Sequence, residues 1–423
     1  DQINIDAQVR NPGGNIDLTE ISIHPFSFRL AENPFSLTAD IQTPVSDPDF
    51  TAEAKGVLNL GMIKQVYPLD DMELNGTVRA DMTMAGHLSY IEKEQYDRFS
   101  ASGTIALSDM KLKMKEMPDV EIKKSLFTFT PKYLQLSETT VAIGKNDLTA
   151  DCRFENYMGY TLKGSTLKGV LNVRSNHLNL NDFMTATTDS TAQTSQASST
   201  EETVSMIEVP QNIDFQMDAG LKEVLFDKMT FTNMNGKLIV KNGKVDMTNL
   251  SMNTMGGSVV MNGYYSTADP KKPEMNAGFR MENIGFAQAY KALDMVQQMA
   301  PIFENLKGNF SGNMHIRTLL DNQMSPVMDT MQGNGSLSTQ DLSLSGVKVI
   351  DQIAEAVKKP ELKEMKVKDM ALDFTIKDGR VSTKPFDIKL GDYVMNLSGS
   401  TGLDQTIDYS GKIKLPASAG DIA

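Results

Sequence analysis

At 423 residues and a formal net charge of −13, the chain is longer than the roughly 100 to 200 residues of one ordinary domain, and too acidic to bind a phosphate backbone through clustered Lys and Arg. Hydrophobic residues at 40% and charged residues at 22% exclude disorder throughout, and one cysteine and four scattered histidines exclude a disulfide scaffold and a Cys/His zinc module. No run reaches the roughly 18 to 20 apolar residues of a membrane span and no signal peptide opens the chain; its start at Asp1 suggests a processed or truncated product, with room for a signal or anchor upstream.

Period-two alternation dominates and predicts strands. It begins at Ile3-Asn4-Ile5-Asp6-Ala7-Gln8-Val9 and returns at Val78-Arg79-Ala80-Asp81-Met82-Thr83-Met84. Helical turns are expected at Met62 to Val66, Leu88 to Asp97 and Leu180 to Met184. Between them Lys111, Lys113 and Lys115 alternate with Leu112 and Met114 in one strand, read as a wet face opposite a greasy one or as a basic stripe for headgroups. Residues 186–205 are Ser/Thr/Gln-rich and cannot bury enough surface to offset their ordering entropy, so a disordered linker is expected there. It divides the chain into a first β segment, 1–185, and a second, 206–423.

In the second segment Asn242-Gly243 and Asp378-Gly379 are hairpin signals, because both central residues of a type I′ turn need positive φ. One amphipathic helix is expected over 285–306, where Phe286, Tyr290, Leu293, Val296, Ala300 and Phe303 recur at helical steps. A shorter one is expected over 347–358, with Val347, Ile350, Ile353 and Val357 on one face before Pro360.

Two internal repeats are visible. Leu74-Asn75-Gly76-Thr77-Val78 and Gly103-Thr104-Ile105 match Leu306-Lys307-Gly308-Asn309-Phe310 and Gly335-Ser336-Leu337 at one common offset. Residues 236–263 match 372–399 without gaps, Asn242-Gly243 overlying Asp378-Gly379 and Gly263 overlying Gly399.

No nucleophile elbow, phosphate loop, HExxH helix or EF-hand is present, and Gly333-Asn334-Gly335 opens a strand instead of a helix. His24, His87, His177 and His315 have no ligand spacing, and the paired carboxylates Asp70-Asp71 and Glu201-Glu202 read as solvated surface. No enzyme, metal or cofactor is therefore expected.

The distributed pattern says more than any motif. Some twenty half-apolar strands have too few helices to cover them, so the sheet either closes as a sandwich or barrel or curls into a long trough occupied by another molecule. The 28 Met residues suit a lining that adapts to chains of varied shape, or equally fill an ordinary core.

Gly333-x-Gly335-x-Leu337 through Leu344-x-Gly346-Val347, then Phe374-x-Ile376-x-Asp378-Gly379-x-Val381 and Asn396-Leu397-x-Gly399, resembles the carboxy-terminal region of the AsmA family, related to TamB-type β-groove proteins. Asn235-Gly236-x-Leu238 through Gly256-Gly257-x-Val259 and Gly263 is similar to the same family's repeat. The likeness is best over 206–415 and weaker over 35–185, where Pro44-Val45-Ser46-Asp47-Pro48-Asp49-Phe50 resembles a related motif. The resemblance implies an envelope protein of diderm bacteria, facing the periplasm and held by an inner-membrane anchor that this sequence does not contain. It implies a mainly β fold, an elongated, mostly antiparallel sheet curled into a U-shaped groove with a few amphipathic helices. It also implies phospholipid, or another acyl-chain lipid, as the partner in outer-membrane biogenesis.

The expected lining alternates along the repeat: Leu238, Val240, Val245, Met247, Val259 and Met261 in the first copy, and Phe374, Ile376, Ile388, Leu390, Met395 and Leu397 in the second. The 285–306 and 347–358 helices would cover the mouth or an end. The alternative function is an assembly factor for outer-membrane proteins that offers its sheet edges to partner strands.

Overall fold

The computed structural model describes residues 3–30, 33–65, 72–93, 95, 98–114, 118–186, 207–346, 352, 355, 360–367, 370–390, 393–402 and 406–414. Among these the fold is mainly β: 23 strands in one large, mostly antiparallel, open and curled sheet that does not close into a barrel. The helix expected over 347–358, apart from Gln352 and Glu355, and the linker beyond Ala186, Lys115, Asp70-Asp71 and Glu201-Glu202 lie outside the described residues.

The chain forms two compact units. The first comprises Asp1–Leu178, Pro210–Leu221 and Ile239–Asn242, and the second Asn179–Val209, Lys222–Leu238 and Gly243–Ala423.

The first unit opens with β1 (Ile3–Arg10), β2 (Glu20–Leu30), β3 (Asn33–Gln42), β4 (Asp49–Asn59) and β5 (Met72–His87). It continues with β6 (Ser100–Met114), β7 (Val120–Phe129), β8 (Tyr133–Ile143), β9 (Asn146–Glu155) and β10 (Leu167–Ser175). Each pairs antiparallel with the next. After the short β11 (Leu178–Asn179), β12 (Ile213–Phe226) returns to lie parallel to β10, Leu167 opposite Ile213 and Ser175 opposite Leu221. A parallel pair needs a crossover of a dozen or more residues, and the Ser/Thr-rich segment falls within that connection.

Directly paired residues share a face, so the register shows what the alternation builds. One row runs Phe26, Leu37, Ala54, Met82, Gly103, Phe129, Leu134, Phe154, Gly169, Phe215 across β2 to β12. Two short helices, α1 (Leu88–Glu92) and α2 (Tyr157–Lys163), pack Ile91 and Met158 with Phe99 and Ala101 at one part of this face. The basic-stripe reading of β6 is not favoured: Lys111 pairs with Glu121 at 2.9 Å and Lys113 with Asp119 at 3.3 Å, so both charges are matched.

The remaining strands are β13 (Met229–Lys241), β14 (Lys244–Thr254), β15 (Gly257–Ser266), β16 (Glu274–Gly285), β17 (Leu306–Leu319) and β18 (Gln332–Ser345). They are followed by β19 (Glu364–Val367), β20 (Met370–Lys377), β21 (Arg380–Leu390), β22 (Tyr393–Gly402) and β23 (Ile407–Lys414). In the second unit β14 to β18 run antiparallel in order. The long β18 then pairs β19 along one half and β20 along the other, and β20 to β23 complete the meander.

The repeats hold residue by residue. Shifting β14 and β15 onto the second copy superposes their bounds on those of β21 and β22, and the register breaks at Met247/Leu250 and at the matching Thr383/Phe386. Both I′ turns form, with φ of 53° and 71° at Asn242-Gly243 and 51° and 69° at Asp378-Gly379. In the longer-range repeat the glycines of the matched motifs, Gly76 (φ 121°) and Gly308 (φ 119°), each carry a β-bulge. A bulge needs an extra residue in unusual backbone geometry, so its recurrence at matched glycines follows from the sequence repeat.

The helix expected over 285–306 is broken into three: α4 (Phe286–Ala292), α5 (Asp294–Met299) and a 3₁₀ turn, Pro301–Asn305. They follow α3 (Asn181–Ala186) in the chain. Ala300 leaves helical geometry because it precedes Pro301, whose ring disfavours the α region in its neighbour. Leu293 is extended (φ −121°, ψ 105°) with no breaker in sequence; tertiary packing bends the chain there.

Candidate functional site

The site grows from the apolar face of the second unit. Across β14 to β21 one row runs Leu250, Met261, Phe279, Met314, Gly335, Phe374 and a second runs Met247, Gly263, Ala277, Ile316, Gly333, Ile376, Val381. Glycines alternate with bulky neighbours, and Phe374 lies over Gly335, where an added Cβ would come within 2.6 Å of its ring. The opposite face is polar, with Asn262, Arg280, Asn313, His315, Asn334 and Thr375 exposed along a shallow depression. On that side the Tyr264 hydroxyl donates to Glu274 at 2.7 Å and Arg317 pairs with the same carboxylate, holding Glu274 below its usual range.

α4, α5 and the 3₁₀ turn form a lid on the apolar face. Phe286, 0% exposed, meets Phe303 edge-on at 4.7 Å and Phe310 of β17 at 4.9 Å. With Leu250, Met252, Val259, Ile284, Leu306 and Leu342 these rings make the main core. α5 adds Met299 to a second cluster with Ile316, Met331 and Ile376. Its start is tethered by Lys228, whose ammonium donates to Asp294 at 2.8 Å; that hydrogen bond raises the lysine's pKa. Gln297 donates to the Tyr290 carbonyl at 2.9 Å and ties α5 to α4.

Between lid and sheet lies a cavity of about 740 Å³. The sheet contributes Met281, Met314, Leu337, Phe386 and neighbouring side chains, and the lid contributes Leu293, Met295, Met299, Ile302 and Phe303. Among the described residues its polar groups are few: Glu304, Asn305, Ser336, Thr383, Thr401 and Tyr409. The volume is within the range of about 300–1,000 Å³ that holds a small molecule or part of a lipid.

The expected lining divides between cavity and core. Phe374, Ile376, Ile388, Met395 and Leu397 of the second copy line the cavity, while the Leu390 side chain lies outside the described residues. From the first copy, Val259 is buried in the main core and Met247 and Met261 pack against it. Leu238, Val240 and Val245 are half-buried on their strands and do not line the cavity. The division follows the lid: Phe286 and Ala289 of α4 sit in the cluster that holds the β14 and β15 side chains, whereas α5 and the 3₁₀ turn leave space above β20 to β22. The lid half of the lining was visible only as helical periodicity, and Ile302 and Met295 carried no signal beyond it.

Among the described residues no group of three His, Cys, Asp or Glu could hold a metal ion. His24 pairs with Asp40 at 2.7 Å, and His87 lies 3.4 Å from Asp47 and 3.5 Å from Asp49. No described helix is long and apolar enough to cross a membrane. Compared with protein-family models, curated proteins and solved structures, the chain matches none.

Proposed function

We propose that the second unit binds the acyl chain of a lipid, without catalysis, in the cavity under its lid. One observation carries the reading: a cavity of about 740 Å³ on a curled β-sheet, lined almost wholly by apolar side chains. A chain of some ten methylenes buried there gains about 8 kcal/mol gross at roughly 0.8 kcal/mol per CH₂, part of it offset by lost freedom of the ligand. Met281, Met295, Met299, Met314 and Met395 suit such a guest because unbranched thioethers repack around chains of different shape. With the AsmA-like motifs, the reading extends to phospholipid or another acyl-chain lipid carried on the periplasmic side of a diderm envelope for outer-membrane biogenesis, the full-length protein being held by an inner-membrane anchor.

The test is native mass spectrometry of the purified chain with lipid extraction, alongside Met395→Glu and Ser382→Glu. The first substitution puts a carboxylate in the cavity, and the second puts it on the polar face of β21. Lipid occupancy should fall at least tenfold in the first and stay unchanged in the second. Equal occupancy in both and in the parent chain, or no lipid at all, refutes the proposal.

A second reading, an assembly factor that adds partner strands to a sheet edge, is favoured by β1. All eight of its residues are exposed, Ile3, Ile5 and Val9 at 68%, 61% and 71%, and among the described strands it pairs with β2 alone. A photo-crosslinker at Ile5 would capture protein under this reading, and one at Met395 would capture lipid under the first.

A further inference from the structure

Granted an acyl chain in the cavity, we infer that the ligand's polar end is uncharged or cationic, and that Glu304 is the side chain that selects it. This rests on the acyl-chain reading and narrows its ligand, away from phospholipids with an anionic headgroup and toward other acyl-chain lipids. None of the described residues lining the cavity is Lys, Arg or His, so none of them neutralises a carboxylate or phosphate. Among the described lining residues the one Asp or Glu is Glu304. It is exposed on the 3₁₀ turn Pro301–Asn305, so it meets the end of the ligand that stays in water instead of the buried chain. The Tyr290 hydroxyl of α4 donates to it at 3.5 Å, a long contact that leaves most of its accepting capacity for a ligand's N–H or O–H donors.

The other polar lining groups, the Ser336, Thr383, Thr401 and Tyr409 hydroxyls and the Asn305 amide, both donate and accept, which matches hydroxyls and esters as well as amines. An anionic end would face Glu304 with no counter-charge among the described lining residues, inside the field of a chain with net charge −13. Like charges a few ångströms apart at a half-solvated mouth lower affinity by roughly tenfold.

The experiment displaces a fluorescent apolar probe, 1-N-phenylnaphthylamine, from the full chain with palmitoylglycerol, hexadecylamine and palmitic acid, which share one chain and differ in charge. Palmitic acid should compete about tenfold less well than the other two. Glu304→Gln should narrow that gap and Glu304→Lys should make palmitic acid at least as good as the amine, while Ser382→Glu leaves the order unchanged. Because Glu304 is exposed, these variants keep the fold, which circular dichroism verifies. Equal competition by all three ligands, or an order indifferent to Glu304→Lys, overturns the inference and leaves the acyl-chain reading standing. Displacement by none of them overturns the acyl-chain reading itself, and this inference with it.

Discussion

Replacing Phe286 by Ala tests whether the lid is anchored where the packing places it. The ring is 0% exposed and contacts Phe303 at 4.7 Å and Phe310 at 4.9 Å, so it links the 3₁₀ turn of the lid to β17 of the sheet. Truncation removes the transfer free energy of the ring and leaves a void, together about 3–5 kcal/mol for a buried Phe. The two aromatic contacts, about 0.5–1.5 kcal/mol each, belong partly to the same sum because they share one ring. Domains have a total stability of about 5–15 kcal/mol, so the loss should open the lid locally before it unfolds the sheet. Hydrogen exchange measures this better than a single melting curve, since a chain of two compact units need not unfold in one step. Amides in 286–305 should exchange at least a hundredfold faster in Phe286→Ala, equivalent to about 2.7 kcal/mol, while β6 and β7 in the first unit exchange as before. An acceleration below about fivefold would refute the anchoring role, because the ring would then contribute less than about 1 kcal/mol.

Two more predictions follow from single positions. Gly335→Ala places a Cβ 2.6 Å from the Asn313 carbonyl oxygen and 2.6 Å from the Phe374 ring, so it should destabilise the second unit by about 1–3 kcal/mol in urea. Phe374→Leu should recover only part of that loss, because the clash with the Asn313 backbone remains; full recovery would assign the whole cost to the ring. Burial, with a smaller contribution from Asp151, pushes the Cys152 thiol up to about 11, so iodoacetamide at pH 8 should modify the native chain over a hundredfold more slowly than the urea-unfolded one. The folded thiol holds its proton more tightly than the ordinary value of 9.0, so its contribution to stability is complete below pH 9 and is lost as the pH rises through about 11. The stability of Cys152→Ala should therefore fall less steeply over that window, and parallel curves would contradict the assignment.

The amino-acid order determined everything governed by neighbours in the chain or by the two-residue period. Alternation fixed which residues of one strand share a face, such as Phe374 and Ile376 on β20, while the rows they form across strands came only from the pairing. Asn242-Gly243 and Asp378-Gly379 set their turns, and the matched glycines Gly76 and Gly308 set bulges in both copies, because left-handed or otherwise strained backbone is cheap only for such residues. Pro301 likewise ended a helical segment through its own ring.

Tertiary structure decided what covers each face. Alternation marks a face as apolar without saying whether helix, solvent or ligand lies against it, so Val259 and Met395 look alike in sequence, yet one is core and the other lines a cavity. The extended geometry at Leu293, the tether from Lys228 to Asp294 and the parallel pairing of β10 with β12 join residues far apart in the chain or bend it without a local breaker. They depend on which packing buries the most apolar surface, a property of the assembled sheet. The methionine surplus spans both outcomes: Met252 and Met331 fill core, and Met281 and Met395 line the cavity, because a flexible thioether is equally at home in either.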